Sequence, residues 1–179
     1  RNLFPLAPRE ICVAALAASA RQAPTAPLAI AVGGGRTTPV TLVVAPGTRI
    51  RFENRDPFTH KLYAVGQATF PPGEIARAGF RDWTVPASGK FEIRDELSPS
   101  VRSFIVVEPN VAAVAFPGRD GAFTFPNLPD GDYTLKAFVS GAPAGAPITA
   151  AVRGGNLELK DPLVLAEPDK KADAAKGAK

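Results

Sequence analysis

Hydrophobic and polar residues alternate with a period of two along much of the chain. In residues 49–54, Ile50 and Phe52 alternate with Arg49, Arg51 and Glu53, the pattern of a strand with one face in a core and the other in water. Comparable runs at 40–44, 60–65, 82–85, 90–95 and 103–107 are separated by turn-forming segments such as Ala45-Pro46-Gly47-Thr48, Phe70-Pro71-Pro72-Gly73 and Pro86-Ala87-Ser88-Gly89. Beyond Glu108-Pro109-Asn110 the same grammar continues at 121–125, 132–139, 148–153 and 157–165, with a turn at Pro129-Asp130-Gly131. Residues 11–19 read as a strand, a short helix opened by Pro8 being the alternative. Many short strands, frequent Gly/Pro turns and the lack of a long amphipathic pattern predict an all-β sandwich.

Composition narrows the chemistry. The 179 residues include one His (His60), one Cys (Cys12) and no Met. One imidazole and one thiol cannot build a closed structural zinc site or the two-His, one-Cys set of a blue-copper centre. A lone Cys also excludes an internal disulfide. No run approaches the roughly 18 apolar residues of a spanning helix. The net charge is +4, with 13 Lys/Arg against 8 Asp/Glu in residues 1–107 and 8 against 9 in 108–179. Arg49, Arg51, Arg55, Arg77, Arg81, Arg94 and Arg102 are interspersed with acids, a solvated strand face rather than a nucleic-acid footprint. His60, Asp95 and Ser98 supply the residue types of a hydrolytic triad, but no Gly-x-Ser-x-Gly elbow accompanies them. The run Gly33-Gly34-Gly35 lacks the Lys and helix of a phosphate-binding loop and reads as a flexible connection. Residues 1–26 form an N-terminal arm. Residues 167–179 carry no apolar anchors and are expected to be a mobile basic tail. The chain does not begin with Met, so Arg1-Asn2-Leu3-Phe4-Pro5 reads as a mature or truncated end from which any targeting peptide would already be missing.

Residues 28–108 resemble the cupredoxin family, the fold of plastocyanin and azurin. Ile30-Ala31-Val32 fits the first strand, and Val43-Val44-Ala45-Pro46-Gly47-Thr48 fits the strand and turn leading into the core. Asn54-Arg55-Asp56-Pro57-Phe58-Thr59-His60 resembles the segment that carries the first copper ligand. Residues 83–93 fit the turn and strand before the ligand Cys, and 101–107 the closing strand. Residues 120–135 are similar to the core motif of carboxypeptidase-regulatory-like β-domains, which are not themselves catalytic. The resemblance implies a Greek-key β-sandwich at 27–108 followed by a second small β-sandwich-like domain at 109–166.

The departure from the pattern bears on function. Where these relatives carry Cys-x-x-His-x-x-Met, this chain has Asp95, Ser98 and Val101. With His60 alone remaining, the resemblance implies vestigial copper-site positions, and no metal or other cofactor is expected. If Phe91 and Ile93 face inward, strand parity turns Asp95 inward as well. A buried carboxylate needs a partner, so Asp95 is expected to approach His60 or, failing that, Arg102. These readings imply a non-catalytic structural or binding protein of the bacterial periplasm or cell envelope, acting as an accessory subunit with protein partners. Nucleic acid and a membrane span are not expected. The alternatives are an electron carrier using His60 and Asp95 with a non-standard metal, and a carbohydrate or cell-wall polymer binder. The latter would need exposed aromatics among Phe58, Tyr63, Phe70 and Trp83.

Overall fold

A computed structural model describes residues 10–165. Among these lie thirteen strands: β1 (Ile11–Ala17), β2 (Leu28–Gly33), β3 (Arg36–Thr38), β4 (Thr41–Val44), β5 (Arg49–Asn54), β6 (His60–Ala64), β7 (Gly73–Ile75), β8 (Phe80–Thr84), β9 (Gly89–Asp95), β10 (Arg102–Val107), β11 (Val111–Ala115), β12 (Gly131–Val139) and β13 (Ala142–Val152). The protein is all-β, as the alternating pattern predicts, and no helix among the described residues is long and apolar enough to cross a membrane.

Two sheets make the sandwich, one ordered β3-β2-β5-β8 and the other β4-β10-β9-β6-β7. From β4 to β9 the chain changes sheet at almost every connection, so β5 lies beside β2 and β10 beside β4, both in parallel. Alternation along each strand fills the space between the sheets. Ile50 and Phe52 point inward from β5, Phe91 and Ile93 from β9, and Ile30, Val32, Leu62, Trp83 and Ile105 complete the core. Phe52, Phe70, Trp83 and Phe91 form a chain of ring contacts with centroids 5.3–5.4 Å apart.

β4 and β10 break the alternation, being apolar at consecutive positions. Both faces of these strands are covered, the circumstance that produces continuous apolar runs. Leu42, Val44, Ile105 and Val107 enter the sandwich core. Val43 and Val106 point the other way, onto Cys12, Ala14 and Phe138 of a third sheet.

That third sheet is ordered β11-β1-β12-β13, with β1 antiparallel to both neighbours. Residues 11–17, counted above with the N-terminal arm, are thus a central strand of the sheet that otherwise belongs to the C-terminal part; the rest of the arm before Glu10 and the tail at 167–179 lie outside the described residues. The far face of the sheet carries Ala15, Tyr133, Leu135 and Ala150, covered by Phe123, Phe125, Leu128, Leu159 and Leu163. The covering segments correct two expectations, since 121–125 and 157–165 are not strands. Phe123 and Phe125 do turn inward alternately. An extended segment laid across a sheet buries every second side chain without entering a hydrogen-bond ladder, so the period-two signal is the same. Gly33-Gly34-Gly35 is also corrected. Gly34 (φ 61°) and Gly35 (φ 74°) form the two-residue turn of the β2–β3 hairpin, a left-handed conformation that glycine adopts without steric cost.

Candidate functional site

The site lies at one end of the sandwich, where β5, β6 and β9 deliver polar residues on the inward parity. His60 opens β6 and is completely buried. β9 runs antiparallel to β6, with Leu62 opposite Asp95. The inward sequence Phe91, Ile93, Asp95 therefore ends beside the imidazole. Asp95 Oδ2 lies 2.5 Å from His60 Nδ1, and both side chains are shielded from water. Asp95 Oδ1 accepts the backbone N–H groups of Lys61 and Leu97, each at 2.9 Å.

A second carboxylate, absent from the sequence reading, occupies the other ring nitrogen. Asp56 Oδ2 is 3.1 Å from His60 Nε2, and the same carboxylate accepts the Gly34 amide at 3.0 and 3.1 Å. The local signal was present in Asn54-Arg55-Asp56. Asn54 Oδ1 accepts the Asp56 amide at 2.8 Å, a side-chain-closed turn that swings the carboxylate toward a residue four positions on. Asn54 is itself buried, and its Nδ2 donates to the carbonyls of Phe58 (2.7 Å), Ile75 (2.9 Å) and Ala76 (3.2 Å). It thereby ties the loop between β5 and β6 to the segment leaving β7. The Phe58 ring tilts over the imidazole at 5.1 Å between centroids.

The remaining predicted positions separate. Ser98 sits in the β9–β10 turn, its carbonyl accepting the Val101 amide at 2.9 Å. Val101 is buried in the sandwich core. Arg102, the alternative partner for Asp95, is largely exposed and faces Glu92 at 4.0 Å. Of the four positions, the structure brings together His60 and Asp95 alone, and adds Asp56.

The arrangement limits the chemistry. Neither ring nitrogen is left facing a Ser98 hydroxyl, and the hydrolytic trio is not assembled. The donor set does not fit a type-1 copper centre either. Such a centre takes a thiolate and free imidazole nitrogens, whereas both nitrogens here face carboxylates. The sole thiol, Cys12, belongs to the third sheet, where burial pushes its pKa up to about 12. Among the described residues no group of three or more His, Cys, Asp or Glu side chains is placed to hold a metal ion.

No family model matches the chain, and no curated protein does. Among solved structures, it is similar to amicyanin from Paracoccus versutus at 15% identity and a TM-score of 0.42, over 55% of this chain and 98% of that one. It is similar to a purple cupredoxin from Nitrosopumilus maritimus at 15% identity and a TM-score of 0.41, over 45% and 99%. A Cu-containing nitrite reductase from Thermus scotoductus is 18% identical with a TM-score of 0.42, over 52% of this chain and 25% of that one.

Proposed function

We propose that this chain is a copper-free, cupredoxin-like module without catalytic activity, acting as a binding or structural subunit of a bacterial periplasmic or cell-envelope assembly. The observation that carries the reading is the occupancy of His60, whose two nitrogens are held by Asp95 and Asp56. The position of the first copper ligand thus serves to join loops. Through Asp56 it holds the Gly34 turn, and through Asp95 the amides of Lys61 and Leu97. In this reading imidazole–carboxylate and backbone N–H hydrogen bonds, rather than a metal, link these connections. Residues 120–135, whose sequence resembles the carboxypeptidase-regulatory-like motif, run through the covering segment into β12 of the third sheet. In this reading that sheet is a second binding layer fixed on the sandwich. The end loops and the sheet edges offer backbone and apolar contacts to a protein partner.

Equilibrium dialysis against Cu(II), with absorption spectroscopy, tests the copper-free reading. It predicts neither stoichiometric uptake nor an intense thiolate band, and no change in His60→Ala. Tight uptake lost in that variant contradicts it. Affinity isolation from the native envelope tests the assembly role, for which a reproducible co-purifying chain is expected and a solitary monomer counts against it. A non-standard electron carrier would need a ring nitrogen released from its carboxylate. For the polymer-binder alternative, Phe70 and Trp83 are core residues, while Phe58 is exposed.

A further inference from the structure

Outside the His60 cluster, the other side of the 54–57 loop forms a wall of an open groove of about 500 Å³, within the size range of small-molecule clefts. Residues 77–80 form the opposite wall, and Arg51 and Glu53 of β5 the floor. We propose that this groove binds a hydroxylated ring bearing one carboxylate, of the hexuronic-acid class found in acidic polysaccharides. The inference goes beyond the copper-free reading and stands or falls separately from it.

Three features select that chemistry. The first is an unmatched cation. Arg51 is neutralised by Asp82 through contacts of 2.8 and 2.9 Å, and Arg55 by Glu53. Arg77 is exposed and has no ion-pair partner among the described residues, leaving its planar fork free for a carboxylate. The second is Phe80, 58% exposed. The Arg51 guanidinium covers one face of its ring at 3.9 Å, and the exposure leaves apolar ring surface for the C–H face of a sugar. The third is the lining carboxylate Glu53, which meets Arg55 through Oε2 alone. Its other oxygen can accept a hydrogen bond from a hydroxyl group, and its charge repels a doubly charged phosphate.

The walls are also preorganised. The buried Asn54 side chain donates to the carbonyls of Phe58, Ile75 and Ala76, and the Asn54 backbone N–H donates to the Gly79 carbonyl of the opposite wall at 2.9 Å. Ala78 is held at φ 58°, a strained conformation for a residue with a Cβ, of the kind retained at binding sites. A wall fixed before binding reduces the ordering cost of association.

The test is an amide NMR titration of the full chain with D-glucuronate, D-glucose and inorganic phosphate. Glucuronate is expected to give saturable shifts confined to residues 51–57 and 77–80. Glucose and phosphate should bind at least about tenfold more weakly, as should glucuronate to Arg77→Ala, the loss expected for one charge-assisted contact. Phe80→Ala should weaken glucuronate binding without altering the rest of the spectrum. Both side chains are exposed, so unchanged resonances elsewhere verify folding. Absence of saturable shifts, phosphate binding as tightly as glucuronate, or undiminished binding by Arg77→Ala overturns the proposal.

Discussion

The loop from Asn54 to His60 closes one polar site and leaves another open beside it. On the inner side, His60, Asp95 and Asp56 satisfy one another and draw in three backbone amides. On the outer side, Arg77 has no acidic partner among the described residues and Phe80 has no apolar cover on its exposed surface. The difference follows from burial. A charge shielded from water must be paired within the fold, whereas one at the surface is solvated and can wait for a ligand. The closed site therefore joins loops, and the open one is where recognition chemistry remains available.

Breaking the closed site should give the largest effect. Asp95→Ala strips partners from the His60 ring and from the Lys61 and Leu97 amides, a loss of about 3–5 kcal/mol in urea unfolding. A loss below about 1 kcal/mol would show that the cluster contributes little. Asp56→Asn keeps an acceptor for Gly34 but removes the charge opposite Nε2. About 1–3 kcal/mol is expected, with resonances of Gly34 and Leu97 moving together if one cluster joins both loops. A change confined to Gly34 would separate the two carboxylates.

The third sheet supplies a control remote from both sites. Because burial holds the Cys12 thiol protonated with a pKa of about 12, a thiol reagent at pH 8 should modify it only after unfolding. Rapid labelling of the native protein would show that the third sheet opens away from the sandwich. The smallest effect belongs to the groove floor. Arg51 holds the Asp82 carboxyl below its ordinary value, chiefly by hydrogen bonding. The folded-state pKa is depressed, so this contribution is full above the ordinary carboxylate range. It is lost as pH falls toward the folded value. Asp82→Asn should slightly flatten the acid limb of stability, since partly exposed pairs contribute little. A large change at neutral pH would give the floor a structural role it lacks here.

Much of the sandwich was legible because alternating runs such as Arg49–Asn54 bury one face. Parity alone turned Asp95 toward His60, two residues after Ile93 and four after Phe91. β3 and β7 were not legible, being three residues long and nearly without apolar content. β1 carried too many small apolar residues to place it in a sheet completed a hundred residues later. The continuous runs in β4 and β10 did hold the clue that a further layer covers them. Asp56 was missed because its role depends on the Asn54 turn and on the distant Gly34 amide, neither of which strand periodicity records. The groove was invisible for a similar reason: Arg77 and Phe80 look like any solvated residues until the loop opposite them is placed.

Diffraction at the copper absorption edge, from crystals grown with excess Cu(II), decides whether the His60 imidazole is closed to metal. No anomalous peak is expected at the imidazole, with Asp95 still against Nδ1 and Asp56 against Nε2. A copper peak bonded to either nitrogen of His60, with its carboxylate displaced, would contradict the copper-free reading.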